Sequence, residues 1–412
     1  MKILVVGGTR FFGIPMVNAL LFNNHEVTIA TRGLTKDPFG NRVKRILFDR
    51  RSPDSVKEAF KDTHFDVVID KIAYSSNDVK RLLDVVSCDR YILMSSTAVY
   101  DPLHMNTLEN EFDGHDIKLQ WLEREDAPYS VGKQQAEAAL CQAYEQIKWT
   151  SVRYPVVLGM DDYTKRMEFY VEHISKQKPM NIDNLESPMS FICSREAGEF
   201  LAWLVEHDVE GPINGASAGT VSLGSIIAYI EHALGKKTVL SKDGDDAPYN
   251  GTPAFCINTE RAQNYGYEFE NINNWIFHLL DKILLPERLP GVKKKSFVLP
   301  FNNGEIWFEH LDGMYQYDQL VRNKLKEDSK VFLLPSKPSA IGIVLDETNV
   351  TNEIADDLIS VLLETDKVIQ RVCFIGTDKK IRKMFVERLK KSNKFQYNFI
   401  NDLEKAKEWL IP

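Results

Sequence analysis

Tyr129 and Lys133 stand four residues apart in Tyr129-Ser130-Val131-Gly132-Lys133, the spacing that stacks two side chains on one face of a helix. A phenol with an ordinary pKa of about 10 is a poor base near neutrality, and a neighbouring ammonium favours its phenolate. The pair suits proton transfer to or from an alcohol or ketone oxygen. Upstream, Ser95-Ser96-Thr97 closes the apolar run Tyr91-Ile92-Leu93-Met94. Hydroxyls there fall at the carboxyl end of a strand, where open parallel sheets bind ligands, and Ser96 is placed to steady the substrate oxygen. Tyr and Lys at this spacing also occur on solvated helix surfaces, so the weight comes from chain order: a glycine loop, strand-end hydroxyls, then the Tyr/Lys helix.

That glycine loop is Gly7-Gly8-Thr9-Arg10-Phe11-Phe12-Gly13, directly after Ile3-Leu4-Val5-Val6. A continuous apolar run ended by glycines reads as a strand buried on both faces, and Pro15 fits the first turn of a following helix. Gly7 permits a tight turn, Gly8 the close approach of a pyrophosphate, and Gly13 close helix packing. The helix N-terminus then presents free N–H groups and its positive dipole end to the phosphates. The second strand ends Ala30-Thr31-Arg32-Gly33. With no carboxylate there to bond ribose hydroxyls, and Arg32 available for a 2'-phosphate, NADP is expected over NAD. Asp49, after the third strand, is a candidate for the adenine edge.

Positioning these groups requires alternating strands and helices. Strands are expected at 26–30, 45–48, 66–69, 90–94 and 149–153, with helical segments between most of them, which together read as a doubly wound parallel α/β sheet of the Rossmann type. Residues 156–285, less regular, read as a substrate subdomain with helices at 196–205 and 223–234. The breakers Pro286, Pro290 and Gly291, followed by Lys293-Lys294-Lys295, predict a junction near Pro290, giving domains 1–290 and 291–412. The second is a separate, compact α/β domain: a hairpin at 296–300 and 305–309 around Asn302-Asn303-Gly304, then strand–helix pairs from 341 to 410. Its basic helix, Lys379 to Lys391, has an apolar stripe beneath it and reads as a solvated face.

Of the 412 residues, 43% are hydrophobic, enough apolar material for two cores, and the net charge of −8 gives no general affinity for nucleic acid or anionic membrane. The five cysteines lie too far apart for metal or redox spacing, and no histidine has ligand spacing. With no leader and no run of about 20 apolar residues, a cytoplasmic protein is expected.

From residue 1 to about 285 the chain resembles an extended, epimerase/dehydratase-type short-chain dehydrogenase/reductase. Ser96, four positions before Tyr100, matches that family's catalytic hydroxyl, and Tyr129 and Lys133 match its Tyr and Lys. Ala73 and Tyr74 fall where the fourth strand meets the cofactor. Arg153-Tyr154-Pro155 resembles the strand leading to the nicotinamide, and Ser190-Phe191-Ile192 with Glu196-Ala197 a later landmark. The resemblance implies that Tyr129, Lys133 and Tyr154 touch the cofactor, and that Tyr74, Tyr163, Arg166, Phe191 and Tyr249 line a substrate pocket. Arg10 replaces a common mid-loop glycine, as in atypical branches that include the chloroplast stem-loop-binding proteins. Thr97-Ala98 replaces the acidic pair of sugar-nucleotide dehydratases, and Met189 an arginine that holds a nucleotide diphosphate. The resemblance thus implies an NAD(P)-dependent oxidoreductase or epimerase acting on a small molecule through Tyr129, with a cofactor-sensing or RNA-binding protein on the same fold as the alternative. Residues 296–412 resemble STAS-like domains in element order, implying a protein partner or ligand there.

Overall fold

The computed structural model describes residues 1–288, 294–314, 317–390 and 392–412, the side chains of 286–288 excepted. The chain divides into two compact units, Met1–Leu284 and Leu285–Pro412. The junction expected at Pro290 lies outside the described residues, as does Lys391 of the basic helix.

The first unit is built on seven strands: β1 (Lys2–Val6), β2 (Glu26–Thr31), β3 (Lys44–Leu47), β4 (His64–Asp70), β5 (Ser87–Ser96), β6 (Lys148–Tyr154) and β7 (Gly211–Asn214). They hydrogen-bond in the order β7-β6-β5-β4-β1-β2-β3, every pair parallel. This is a Rossmann fold, its order reversing between β1 and β4, where such sheets open a crevice at their carboxyl ends. Alternate residues of β1 serve opposite faces. Ile3 and Val5 join the core beneath α1 (Gly13–Phe22). Leu4 and Val6 join the core under α2 (Pro53–Phe60), α3 (Ser76–Leu83) and α4 (Tyr129–Ala143). That alternation is the two-residue period of a strand covered on both sides. Ser52 and Ser75 cap α2 and α3, accepting from the amides of Ser55 and Asp78, each at 3.3 Å.

Within the same unit, α5 (Arg166–Lys176) and α7 (Leu223–Leu234) enclose a further core that includes Tyr170, Ile174, Ile226 and Ile230. Between them in sequence, α6 (Ser194–Glu206) returns to the main sheet and packs on α1. The contact is close because Gly198 has no side chain, a Cβ there falling 2.5 Å from the Phe12 carbonyl oxygen. The short α8 (Glu260–Asn264) and α9 (Ile276–Arg288) follow in sequence, the last turn of α9 falling beyond Leu284.

The second unit is a separate α/β domain with a five-stranded sheet, β8 (Phe297–Phe301), β9 (Gly304–His310), β10 (Ala340–Val344), β11 (Arg371–Ile375) and β12 (Gln396–Phe399), in that order. β8 and β9 form the expected hairpin, turning where Asn302 adopts φ 50°, and the remaining pairs are parallel. Four helices, α10 (Asp318–Phe332), α11 (Asn352–Leu363), α12 (Lys379–Leu389) and α13 (Leu403–Leu410), accompany it. Helix α10 was not anticipated. Its buried residues Val321, Leu325 and Phe332 form a sparse stripe in a highly charged segment, too weak a periodicity to read without the sheet it packs on. Among the described residues no helix is long and apolar enough to cross a membrane.

Candidate active site

A cavity of about 460 Å³ opens at the carboxyl end of the main sheet. One wall is the glycine loop with the ends of β4 and β5 and the start of α4. The opposite wall comes from the subdomain. Tyr74, Tyr163, Arg166, Phe191 and Tyr249, picked from sequence as pocket candidates, all line it, and so do Ser96, Tyr129 and Tyr154.

The glycine loop is wound tightly because its glycines permit it. Gly7 and Gly8 have φ +99° and +91°, and a Cβ on Gly13 falls 2.6 Å from the Gly8 Cα. Phe11, which is not glycine, is also left-handed, with φ 53°, the backbone strain that gathers at functional turns. Among the described residues the amides of Thr9, Arg10, Phe11 and Phe12 donate no hydrogen bond, and no side chain caps α1. This is a row of orphan donors at a helix N-terminus, the arrangement a diphosphate satisfies. The donor set and the glycine cradle therefore fit a dinucleotide. Beside it, Arg32 is exposed, and Arg10 Nε donates to Thr35 Oγ1 at 2.9 Å, leaning toward the loop after β2. Asp37 in that loop is paired with Arg45 at 2.6 Å. Asp49 lies in an exposed turn, accepting from the Arg51 amide at 3.0 Å.

Tyr129 is the first residue of α4 and is 48% exposed, so its ring reaches the cavity. Burial of the phenol oxygen holds its pKa above the ordinary value, while the Ser96 hydroxyl and Arg124 act in the opposite direction. The Tyr74 ring lies 6.2 Å from that of Tyr129 and carries the Arg124 guanidinium 4.0 Å from its centroid. Ser96 ends β5 and accepts from the Ala98 amide at 3.2 Å, which fixes its rotamer.

Lys133, expected to favour the Tyr129 phenolate, meets backbone carbonyls near the ends of β4 and β5. It is fully buried, and its ammonium donates to the carbonyls of Ala73 at 2.6 Å and Met94 at 2.7 Å. It stands 5.8 Å from the Tyr129 ring centroid. The i,i+4 spacing does put both residues on one face, but strand-end carbonyls, not the phenol, satisfy the ammonium. Burial lowers its pKa to about 8. Ala73, expected at the cofactor, is buried and presents its carbonyl to Lys133. Tyr154 lines the cavity with its ring, while its hydroxyl donates to the Ala197 carbonyl at 2.7 Å.

Helix α4 is held by features that sequence reasoning passed over. Gly132 lies so close to β4's exit loop that a Cβ there falls 2.5 Å from the Tyr74 carbonyl oxygen. One turn beyond Lys133, Glu137 receives both Nε and Nη2 of Arg153, at 3.1 and 2.6 Å, and the Ser95 hydroxyl. The other Arg153 N–H groups go to Tyr100 Oη and the carbonyls of Glu109 and Phe112. All five guanidinium donors are thus used in a buried clamp. Lys71, just past β4, also faces the cavity, its ammonium 4.0 Å from the Phe12 ring centroid and its pKa lowered by burial to about 8. A lysine after a buried strand reads as a solvated turn residue, so nothing in the sequence singled it out.

The sequence model of the NAD dependent epimerase/dehydratase family matches residues 3–217. Among curated proteins, the chain is 28% identical over 200 residues to the chloroplast stem-loop binding protein of 41 kDa b of Arabidopsis thaliana, covering 44% of this chain and 49% of that protein. It is 27% identical over 103 residues to the 2'-dehydrokanamycin reductase of Streptomyces kanamyceticus, covering 25% of this chain and 29% of the relative. The chain thus spans about half the length, or less, of these relatives. Among solved structures, the UDP-glucose 4-epimerase of Thermus thermophilus in complex with NAD is similar with TM-score 0.52 and 18% identity, over 69% of this chain and 99% of that one. The UDP-glucuronic acid 4-epimerase of Bacillus cereus in complex with NAD gives TM-score 0.53 and 18% identity over 69% and 97%. At these identities the likeness concerns the fold.

Proposed function

The chain belongs to the NAD dependent epimerase/dehydratase family, and from that premise we propose that it is a nicotinamide-dependent oxidoreductase or epimerase acting at an alcohol or ketone carbon of a small molecule. One observation carries the reading: Phe11 and Phe12, the end of the loop whose amides are orphan donors, line one cavity with Tyr129 and Ser96. A bound nicotinamide dinucleotide supplies or accepts the hydride. The amides of Thr9 to Phe12 hold its diphosphate. Arg32, with Arg10 reaching Thr35 in the loop after β2 and no free carboxylate at the end of β2, holds a 2'-phosphate, which favours NADP over NAD. Asp49 takes the adenine edge, and Tyr154 and Ala73 border the nicotinamide end. Tyr129 gives or takes the proton of the substrate oxygen, and Ser96 steadies that oxygen. Lys133, with two donors engaged by carbonyls, has a third left for the cofactor ribose.

Replacing Tyr129 by Phe keeps the ring and removes the acid. Turnover in a screen of alcohols, ketones and nucleotide sugars is expected to fall by about 10²–10⁴-fold, with cofactor affinity nearly unchanged. Full turnover by Tyr129→Phe would remove Tyr129 from the mechanism.

A second reading rests on the likeness to the chloroplast stem-loop binding protein: the same fold used to hold RNA. The net charge of −8 opposes general affinity for a polyanion. A stem-loop RNA complex that weakens steeply with salt, in a protein without turnover, would favour it.

A further inference from the structure

We propose that Lys71 is an anion-pairing residue for the diphosphate of the dinucleotide, a site component that rests on the cofactor reading above. The Lys71 backbone is fixed where β4 leaves the sheet, its amide donating to the Val6 carbonyl at 3.1 Å. It lies against the glycine turn, since a Cβ on Gly7 falls 3.6 Å from the Lys71 Cβ. From there the side chain crosses to the loop's far end, setting the ammonium 4.0 Å from the Phe12 ring centroid. It lines the same cavity as Phe11 and Phe12 of the loop and as Tyr129 and Ser96.

The ammonium has no matching anion. Among the described residues no hydrogen bond or ion pair to Lys71 Nζ is formed, and the charged side chains lining the cavity, Lys71 and Arg166, are both cations. Arg166 is engaged by Thr164 Oγ1 at 2.7 Å and by Asp162 at 3.9 Å. The carboxylate that acts on Lys71 through space is Asp161, which itself accepts from Ser194 Oγ at 3.0 Å. A half-buried ammonium with a ring beneath it and no paired carboxylate is completed by an anion in the cavity. The diphosphate gathered by the adjacent amides is that anion, and charge-assisted hydrogen bonds are the strong ones.

The test is calorimetric titration of the full chain, with Lys71→Met and Lys71→Arg, using NADPH, ADP-ribose and 2'-AMP. ADP-ribose keeps the diphosphate without nicotinamide, and 2'-AMP lacks the diphosphate. Lys71→Met is expected to weaken NADPH and ADP-ribose alike, by about ten- to a hundredfold. It should leave 2'-AMP unchanged, and Lys71→Arg should stay within a few-fold of the parent. Unchanged affinity of Lys71→Met for NADPH and ADP-ribose overturns the assignment; with a raised KM besides, it moves the lysine to the substrate's own acidic group. Equal weakening of 2'-AMP overturns it as well, by showing a general disturbance. If the parent protein binds neither NADPH nor ADP-ribose, the cofactor reading fails first and the role of Lys71 falls with it.

Discussion

At the scale of the residue, the site is a contest between burial and hydrogen bonding. The Tyr129 phenol is held above its ordinary pKa, and the cation expected to lower it is committed to the carbonyls of Ala73 and Met94. Burial lowers Lys133 to about 8 against about 10.4 in an unfolded chain. Between those values the unfolded chain binds the extra proton, so folding carries a cost that is complete below pH 8 and fades toward pH 10. Lys71, also lowered to about 8, contributes in the same window. The urea midpoint of the parent should therefore gain on that of Lys133→Met between pH 8 and 10, whatever the buried thiols and phenols contribute to both. Gly132 is a second residue-scale test. With a Cβ placed 2.5 Å from the Tyr74 carbonyl oxygen, Gly132→Ala should push α4 off β4's exit loop. The expected cost is about 1–3 kcal/mol and a loss of turnover larger than the loss of cofactor affinity.

At the scale of the element, the question is what keeps the first turn of α4 over the cavity. Glu137 lies eight residues after Tyr129 on the same helix and is fixed to β6 by Arg153 and to β5 by Ser95. Removing one partner of a buried charge pair typically costs about 3–5 kcal/mol. Glu137→Ala is thus expected to lower the unfolding free energy by that order and, where it still folds, to reduce kcat through displacement of Tyr129. Chemical denaturation with kinetics on the same samples checks both.

The strands that carry the site were legible because each is an apolar run ended by glycine, serine or charge, and the boundaries expected for β2 to β6 fall within a few residues of those observed. Strand β7 was not legible. Gly211-Pro212-Ile213-Asn214 buries one large apolar side chain, Ile213, and becomes a strand only because β6 offers an open edge. The Arg153–Glu137 clamp was equally hidden, since it joins residues of two elements whose facing is a property of the assembled sheet. The loop glycines and the Tyr129/Lys133 spacing were readable because local backbone geometry alone dictates them.

At the scale of the whole molecule, two α/β units with separate cores share one chain, and the second raises its own electrostatic question. Glu309, near the end of β9, is fully buried, accepts from Trp307 Nε1 at 2.9 Å, and is neighboured by the Asp328 carboxylate. Burial raises its pKa to about 8, so the folded chain keeps a proton that an unfolded carboxyl releases near about 4.3. The sign is opposite to that of the lysines: stability is lost as pH rises from about 4.3 toward 8. Glu309→Gln should be more stable than the parent at pH 8, with little gain at pH 4.5. Because the unit has its own core, the same variant should bind cofactor with unchanged affinity, which thermal melts and a titration establish together.

The central claim is that the first unit holds a nicotinamide dinucleotide on its glycine loop and brings it to Tyr129. Its most direct test is the titration of the purified chain with NADPH and NADH, followed by the fluorescence of the reduced nicotinamide. Saturable binding at one site per chain, tighter for NADPH, is the predicted result; binding of neither cofactor would contradict the account.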